Sequence, residues 1–242
     1  MKKVKSRAVP AEDVLEVFKR LDAAYPNSKT ELVFEGPFQL LISVILSAQC
    51  TDAQVNRTTP ALFAKYPTSQ TLAKASLPDV EKLIHSCGFY RMKAKAIVAT
   101  AQDIAEKFSG EVPGTLEELI TLRGVGRKTA SVVLNQAFDV PAIAVDTHVK
   151  RVSHLLGWSH HPDPVKIEFE LRALIPMNLW AAVNGLLILH GRKICKARKP
   201  LCQECMISQY CAFYRGLKTK TPSTARSKGA VAKGKSSRSH PS

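Results

Sequence analysis

The chain has 242 residues, 45% of them hydrophobic, and its 35 Lys and Arg against 20 Asp and Glu give a net charge of +15. This length can hold one large domain or two small ones with a well-buried core. No apolar run reaches the roughly 18 residues of a membrane span, and the basic start of the chain lacks the apolar region of a signal peptide. We therefore expect a cytoplasmic, nucleoid-associated protein with no membrane partner.

The net charge predicts a polyanionic partner, because Lys and Arg side chains bind phosphates and release their counterions. Residues 218–242 hold seven Lys or Arg and no acidic residue, which leaves about +8 on the rest of the chain. That excess still favours nucleic acid over the alternative, a basic surface that is only solvated. Residues 218–242 also have almost no large apolar side chains, so we expect a disordered basic tail there.

Apolar residues recur at helical spacing along most of the chain. Val14, Leu15, Phe18 and Leu21 form one such stripe. We find no series of alternating apolar and polar segments joined by hairpin turns, so the pattern predicts an all-α fold. The predicted helices cover residues 11–25, 37–49, 52–65, 78–86, 93–108, 115–121, 127–137, 146–156, 164–175 and 179–190.

A glycine-flanked turn between two predicted helices is the most informative segment. Glycines permit positive φ and close backbone approach, so successive N–H groups of the turn and of the next helix can face a phosphate. This is the helix-hairpin-helix pattern, which binds the DNA backbone without reading its sequence. The alternative is ordinary capping by a GxG turn. The predicted DNA contacts of the hairpin are Gly124, Val125, Gly126, Arg127 and Thr129.

Lys128 favours chemistry over simple phosphate binding. It lies in the first turn of the new helix, where the helix dipole disfavours a cation and so favours the neutral, nucleophilic amine. Asp146 follows 18 residues later, after an apolar stretch and at the expected start of another helix. Taken alone, Asp146 is an ordinary N-cap. Together with Lys128 it supplies the second group that cleavage of a glycosidic bond requires.

Four of the six cysteines crowd into one segment with the spacing C-x6-C-x2-C-x5-C: Cys195, Cys202, Cys205 and Cys211. Nothing in the sequence supports an oxidising compartment, so the cluster indicates a metal site and not a disulfide framework. Four thiolates fit either tetrahedral zinc or a [4Fe–4S] cluster, and local chemistry does not choose between them. The two remaining cysteines, Cys50 and Cys87, are expected to be small buried side chains.

These motifs together resemble the endonuclease III family in order and spacing over roughly residues 10–215. The matching segments are 122–134, IAVDTH at 143–148, LSAQCTD at 46–52, ILHGR at 188–192 and the four cysteines. The resemblance implies a DNA glycosylase with a second, lyase activity. It assigns the catalytic roles to Lys128 and Asp146, and it implies a [4Fe–4S] cluster on the four cysteines in preference to zinc.

The resemblance also implies roles for residues around the site. Gln49 matches the residue inserted where the damaged base leaves the helix, and Phe89 matches a wedge position that is often leucine. Each of these roles has a purely structural alternative. Gln49 and Asp52 would lie at an ordinary surface helix end, and Phe89 would pack in the core. The predicted base pocket is Ser47, Asp52 and His148, and the predicted phosphate contacts of the cluster loop are Lys196, Arg198 and Lys199.

Two positions depart from the family pattern. Arg123 stands where relatives often have proline, and Cys50 where they often have alanine. We expect neither change to abolish the chemistry.

The expected architecture has two helical lobes with a DNA cleft between them. A six-helix barrel lobe with the hairpin covers residues 30–140, a cluster lobe combines 1–29 with 141–217, and the tail covers 218–242. We expect a monomer that removes oxidised pyrimidines from double-stranded DNA and nicks the strand 3′ to the abasic site. The alternatives are a monofunctional mismatch (adenine) or pyrimidine-dimer glycosylase of the same fold, and a non-catalytic DNA-binding module.

Overall fold

The computed structural model describes residues 9–26, 28 and 30–220, and this part of the chain contains helices and no β-strand. The prediction of an all-α fold is therefore confirmed. The helices are α1 (Ala11–Ala24), α2 (Pro37–Leu46), α3 (Asp52–Lys65), α4 (Ser69–Ala73), α5 (Leu77–Leu83), α6 (Tyr90–Lys107), α7 (Leu116–Leu119), α8 (Arg127–Ala137), α9 (Thr147–Leu156), α10 (Pro164–Leu174), α11 (Trp180–Lys193) and α12 (Ala212–Lys220), with short 3₁₀ turns at Met177–Leu179 and Ser208–Tyr210.

The helices begin where short polar side chains can cap them. Thr51, Thr115 and Asp163 each accept a hydrogen bond from a backbone N–H in the first turn of α3, α7 and α10. Such caps satisfy backbone donors that have no partner within the helix. The sequence did not predict α4 or α12, because both are short or lie among polar residues.

Two of the predicted boundaries that differ from the structure bear on the site and on the predicted tail. The helix predicted over 37–49 ends at Leu46, since residues 47–50 form a turn in which Gln49 has a φ of 53°. Helix α12 continues through Lys220, so the tail predicted to begin at residue 218 overlaps the end of a helix. The rest of that predicted tail, 221–242, lies outside the described residues.

Within the described ranges, the buried side chains form two separate hydrophobic cores. The first core includes Leu40, Leu62, Ile97 and Val133 and so joins α2, α3, α6 and α8. The second core joins α1 to α9, α10 and α11, and its members include Val14, Val149, Leu171 and Leu187. None of the described helices is long and apolar enough to cross a membrane.

The described part of the chain passes between the two cores twice. The first crossing links Tyr25, in the second core, to Leu32, in the first. The second crossing runs from Leu134, in the first core, to Ile143, in the second. Gly185 of α11 packs directly on the first crossing, since a Cβ there would lie 1.7 Å from the carbonyl oxygen of Ser28. Both crossings therefore border the space between the two cores.

Candidate active site

The hairpin between α7 and α8 packs closely on one side and is open on the other. Gly124 has a φ of +84°, and a Cβ there would lie 3.2 Å from the Cβ of Ala96 in α6. Val125 is 6% exposed and belongs to the first core. Gly126, by contrast, has no described atom within 4 Å of a Cβ placed there, and no described side chain caps the N-terminus of α8 that follows it. The free N–H groups at this helix start can therefore receive an anion.

A buried carboxylate anchors the hairpin to α6. Asp103, 2% exposed, accepts hydrogen bonds from the backbone N–H of Arg123 at 2.8 Å and from its Nε at 3.0 Å. Lys107 Nζ lies 2.8 Å from the other carboxylate oxygen. Burial alone would raise the pKa of Asp103, but the hydrogen bonds from Arg123 and Lys107 outweigh it and hold that pKa well below its usual range. Arg123 thus holds the hairpin in place.

Lys128 and Asp146 line the same cleft between the two cores. Lys128 is the second residue of α8, and Asp146 is the N-cap of α9, where its Oδ1 accepts the N–H of Val149 at 2.7 Å. The cleft has a volume of about 330 Å³, and both side chains are part of its wall. The capping interpretation of Asp146 is therefore correct, but capping does not remove the residue from the cleft.

The predicted pocket residues divide into two groups. Ser47 and Asp52 line the cleft with Lys128. Burial and the nearby Glu31 raise the pKa of Asp52, while Arg192 and Lys128 act in the opposite direction. His148 is not part of the cleft wall, and its Nδ1 lies 3.1 Å from Nη2 of Arg151.

The environment of His148 favours its neutral form. Burial lowers the pKa of the imidazole, the positive charges of Arg151, Arg192 and Lys128 lower it further, and Asp146 opposes them. A neutral imidazole next to the cleft adds no positive charge at neutral pH.

Gln49 and Phe89 lie on two adjoining exposed turns. Both have positive φ, 53° and 58° respectively. The Cβ position of Gly88 is 3.8 Å from the carbonyl oxygen of Gln49, so the two turns touch. Phe89 is 63% exposed and belongs to neither core, which excludes the core-packing interpretation. The neighbouring Met92, 73% exposed, was not predicted from the sequence and enlarges this apolar surface.

Arg127 makes a contact that sequence analysis missed. Its Nε and Nη2 donate to the two carboxylate oxygens of Glu168 in α10, at 2.6 and 3.0 Å. Glu168 is 5% exposed and also binds Arg172. The guanidinium of Arg127 therefore connects the hairpin helix to the second core, while Thr129, two residues later, lines the cleft. Sequence spacing gives no signal for this pair, since its members are 41 residues apart.

Further cleft residues were also missed. Asn135, Asn184 and Arg192 line its wall, and the sequence analysis assigned no role to any of them. Arg192 lies in the ILHGR segment, which was a signal for the site.

The four clustered cysteines line one apolar cavity, with His190 and side chains of α9, α11 and α12 around them. Burial, together with the neighbouring Cys211 thiol, raises the pKa of Cys195 to about 11. Four thiolates in such a place need a positively charged partner, so the donor set fits an iron–sulfur cluster or another thiolate-bound metal. The exposed Lys196, Arg198 and Lys199 lie in the loop between the first two cysteines.

Arg151 ties this cysteine loop to α9. Its guanidinium donates to the carbonyl oxygen of Cys195 at 3.1 and 3.0 Å, and to that of Gly191 at 3.0 Å. The start of the loop is therefore held against the helix that Asp146 caps.

Family models match two parts of the chain. Residues 42–177 match the HhH-GPD superfamily of base excision DNA repair proteins, and residues 195–211 match the iron–sulfur binding domain of endonuclease III. The second match begins and ends at the first and last of the clustered cysteines.

Curated relatives named endonuclease III cover most of the chain. The protein from Synechocystis sp. is 48% identical over 212 residues, which is 87% of this chain and 95% of the relative. The protein from Thermotoga maritima is 43% identical over 83% of this chain and 92% of the relative. The Escherichia coli protein is 41% identical over 82% of this chain and 94% of the relative.

Solved structures agree with these relatives. A trapped covalent intermediate of endonuclease III with DNA is 40% identical, with a TM-score of 0.80, and covers 87% of this chain and 100% of that one. A non-covalent endonuclease III–DNA complex is 41% identical with a TM-score of 0.79, over 88% and 100% of the two chains. A thermostable thymine-DNA glycosylase, 22% identical over 85% of this chain and 98% of its own, shares the fold with a TM-score of 0.75.

Proposed function

Because the chain belongs to the endonuclease III family, within the HhH-GPD superfamily of base excision DNA repair proteins, we propose that its cleft carries out both steps of a bifunctional repair reaction. The enzyme is a DNA glycosylase and abasic-site lyase that acts on oxidised pyrimidines in double-stranded DNA. One observation carries the proposal. Lys128, before the second chain crossing, and Asp146, after it, line the same cleft.

The substrate base enters the cleft from the DNA duplex. A stacked base is out of reach, so the enzyme must turn it out of the helix at a cost of a few kcal/mol, less when the base is damaged. A volume of about 330 Å³ suits a small-molecule site. Gln49 and Phe89 lie on the two adjoining exposed turns. We assign Gln49 to the gap that the flipped base leaves in the duplex, and Phe89 to a wedge position against the opposite strand. We assign Ser47 and Asp52 to the wall of the pocket that holds the flipped base. His148 is assigned to a position next to that pocket.

Asp146 is assigned to the first step. As the glycosidic bond breaks, positive charge grows on the sugar, and a preorganised carboxylate stabilises that charge. The hydrogen bond from Val149 N–H fixes one carboxylate oxygen. The departing base takes the bonding electron pair.

Lys128 is assigned to the second step as the nucleophile. Its amine, neutral when it reacts, forms a bond to the anomeric carbon and, after loss of a proton and ring opening, a protonated Schiff base. This cation acidifies the adjacent carbon, and removal of a proton there expels the 3′ phosphate by β-elimination. The position of Lys128 on the cleft wall supports the role, because a nucleophile must lie beside the bound sugar.

Phosphate contacts are assigned to the hairpin and to the cysteine loop. The open N-terminus of α8 after Gly126 supports the first assignment. The chain's cofactor is a [4Fe–4S] cluster, and we assign its ligands to Cys195, Cys202, Cys205 and Cys211. When bound, it supplies a covalent staple that holds the basic loop with Lys196, Arg198 and Lys199. None of the steps above uses it.

The two cores support the proposed organisation into a barrel lobe over 30–140 and a cluster lobe formed by 1–29 and 141–217. Residues 1–8 of that assignment lie outside the described part of the chain. We place the protein at the nucleoid, on the DNA that it repairs.

Replacement of Lys128 tests the Schiff base. With a duplex that carries thymine glycol, borohydride should trap wild-type protein covalently, and Lys128→Ala should lose both trapping and strand cleavage. The variant should still bind DNA, because one side chain is a small part of a phosphate-dominated interface. Trapping of the variant at the wild-type level would assign the Schiff base to another amine. Wild-type protein that releases the base without trapping or nicking would be a monofunctional glycosylase.

Replacement of Asp146 tests the first step separately. Asp146→Asn keeps the shape and removes the charge, and we expect base release to slow by roughly 10²-fold, the scale seen when a preorganised electrostatic contact is lost. Cleavage at a pre-formed abasic site should change less, because no glycosidic bond remains to be broken. Equal losses in both reactions would contradict the assignment. No product from any damaged duplex would indicate a DNA-binding module without catalysis.

A further inference from the structure

The second chain crossing is held by two asparagine side chains. Asn135 in α8 donates from Nδ2 to the carbonyl oxygen of Ala142, and its Oδ1 accepts the N–H of Ala142 at 2.7 Å. Asn184 in α11 makes the same pair of bonds with Ala144, where Oδ1 accepts the N–H at 2.8 Å and Nδ2 donates to the carbonyl oxygen. Each amide therefore satisfies both polar groups of one backbone residue.

The geometry of an extended backbone explains why the two asparagines bind alternate residues, Ala142 and Ala144. In an extended segment the N–H and C=O groups of alternate residues point to the same edge. Residues 141–146 have no helical structure. The amides of Asn135 and Asn184 thus take the place of a neighbouring strand along the edge that carries Ala142 and Ala144.

The same alternation sets the direction of Asp146. Ile143 is fully buried in the second core, and Val145 packs against that core. Side chains at 142, 144 and 146 therefore point the other way, and Asp146 lines the cleft together with both asparagines. A slip of one residue would turn Asp146 towards the apolar core.

We infer that Asn135 and Asn184 are positioning residues that hold Asp146 in register with Lys128 through the backbone of residues 142–144. Asn135 lies on the same helix as Lys128, seven residues later. Its bonds to Ala142 tie the helix that carries the nucleophile to the segment that leads to Asp146. Asn184 ties that segment to α11. This inference rests on the proposed function, because it assigns the two amides to the step that depends on Asp146.

The test compares two single-turnover rates at saturating enzyme, using the full chain with its cluster. One is release of thymine glycol, scored after alkali has cleaved every abasic site, and the other is cleavage at a pre-formed abasic site. Asn135→Ala and Asn184→Ala should each slow base release by about 10-fold or more, since a misplacement of about 1 Å can cost 10²-fold. The second rate, which needs no glycosidic cleavage, should stay within about 2-fold of wild type.

A double-mutant cycle separates positioning from a general loss of structure. If the asparagines act through the Asp146 carboxylate, Asn184→Ala should have little further effect on base release in an Asp146→Asn background. Equal effects of Asn184→Ala in both backgrounds would overturn the inference. So would a changed preference among lesions without slower release, since that result would mean direct contact between the amides and the base.

Asn56 offers a matched control at the other crossing. Its Oδ1 accepts the N–H of Val33 at 3.0 Å, and its Nδ2 donates to the carbonyl oxygen of Glu31 at 2.8 Å. Asn56→Ala likewise removes two amide–backbone hydrogen bonds, here to two different residues, and should leave the ratio of the two rates unchanged. If it lowered that ratio as much as Asn184→Ala, the effect would not belong to Asp146 and the inference would fail.

Two further measurements keep the test decisive. Should Asn135→Ala, at a buried position, fold poorly, Asn184→Ala at a half-buried position carries the comparison alone. We expect faster amide hydrogen exchange at Ala142 and Ala144 in the variants. Unchanged exchange would mean that the asparagine amides do not hold these backbone groups. If wild-type protein itself released no base, the proposed function would fail. If wild type is active and the variants match it, or if any of the contrary outcomes above is found, the inference alone fails.

Discussion

Asp103→Asn should loosen the hairpin while leaving the side chain's shape almost unchanged. The amide can still accept the N–H of Arg123, which the carboxylate now accepts at 2.8 Å. It loses the charge that pairs with the Arg123 guanidinium at 3.0 Å and the Lys107 ammonium at 2.8 Å. It also places an NH₂ group next to the Lys107 ammonium, which is itself a donor.

The expected loss follows from the exposure of each partner. Arg123 and Lys107 are 54% and 51% exposed, so each lost pair contributes at most about 1 kcal/mol after solvent screening. The buried amide NH₂ without an acceptor costs about 1–3 kcal/mol. We therefore expect Asp103→Asn to lower the free energy of unfolding by roughly 2–3 kcal/mol at pH 7.

The pH dependence identifies the charge as the cause. The folded pKa of Asp103 is lowered, so its contribution is present in full above the unfolded value of about 3.9 and is lost as the pH falls below it. The difference between wild type and Asp103→Asn, from urea unfolding followed by circular dichroism, should be constant between about pH 8 and pH 5 and should shrink below about pH 4. A difference that already shrinks between about pH 8 and pH 5, or one that does not shrink below about pH 4, would refute a lowered pKa of the Asp103 carboxylate as the cause.

Asp79→Asn is the matched control for the hairpin's role in DNA binding. Asp79 also pairs with a lysine, Lys65 at 2.7 Å, and hydrogen bonds from Lys65 and Tyr66 lower its pKa, but it does not support the hairpin. Asp103→Asn should weaken binding to undamaged duplex several-fold at low salt, and Asp79→Asn should not. Equal affinities for the two variants would mean that the anchor is unimportant for the phosphate site.

Three further predictions concern the hairpin, the cluster and the end of the chain. Gly124→Ala should lower the free energy of unfolding by about 1–2 kcal/mol because of its left-handed backbone, and by more because of its contact with α6. Gly126→Ala has open space for the methyl group, so it should keep wild-type stability in thermal melts while weakening DNA binding. Purified protein should be brown, with iron in elemental analysis, and Cys202→Ser should give poorly soluble protein; a colourless preparation with stoichiometric zinc would contradict this. Residues 221–242 hold five Lys or Arg. Their deletion should weaken DNA binding at low salt, and the effect should become smaller as the salt concentration rises. A collapse of single-turnover cleavage on deletion would place that segment in the active site.

Local patterns were sufficient for the helices and for the chemistry-bearing residues. The long helices are near their predicted places because apolar spacing and capping side chains act within a few residues of one another. The hairpin glycines, Lys128 and the four cysteines were visible for the same reason, since each motif is short. The sequence alone also raised both interpretations of Asp146, as a cap and as a catalytic group.

Only the tertiary structure decided which of these residues meet. That Asp146 both caps α9 and lines the cleft with Lys128 depends on the packing of two cores. The pairs Arg127–Glu168 and Asn184–Ala144 join residues 41 and 40 positions apart, and no local periodicity encodes such a pairing. Contacts of this range form when the buried faces of separate helices pack together, so their partners are set by the whole core and not by the neighbouring sequence.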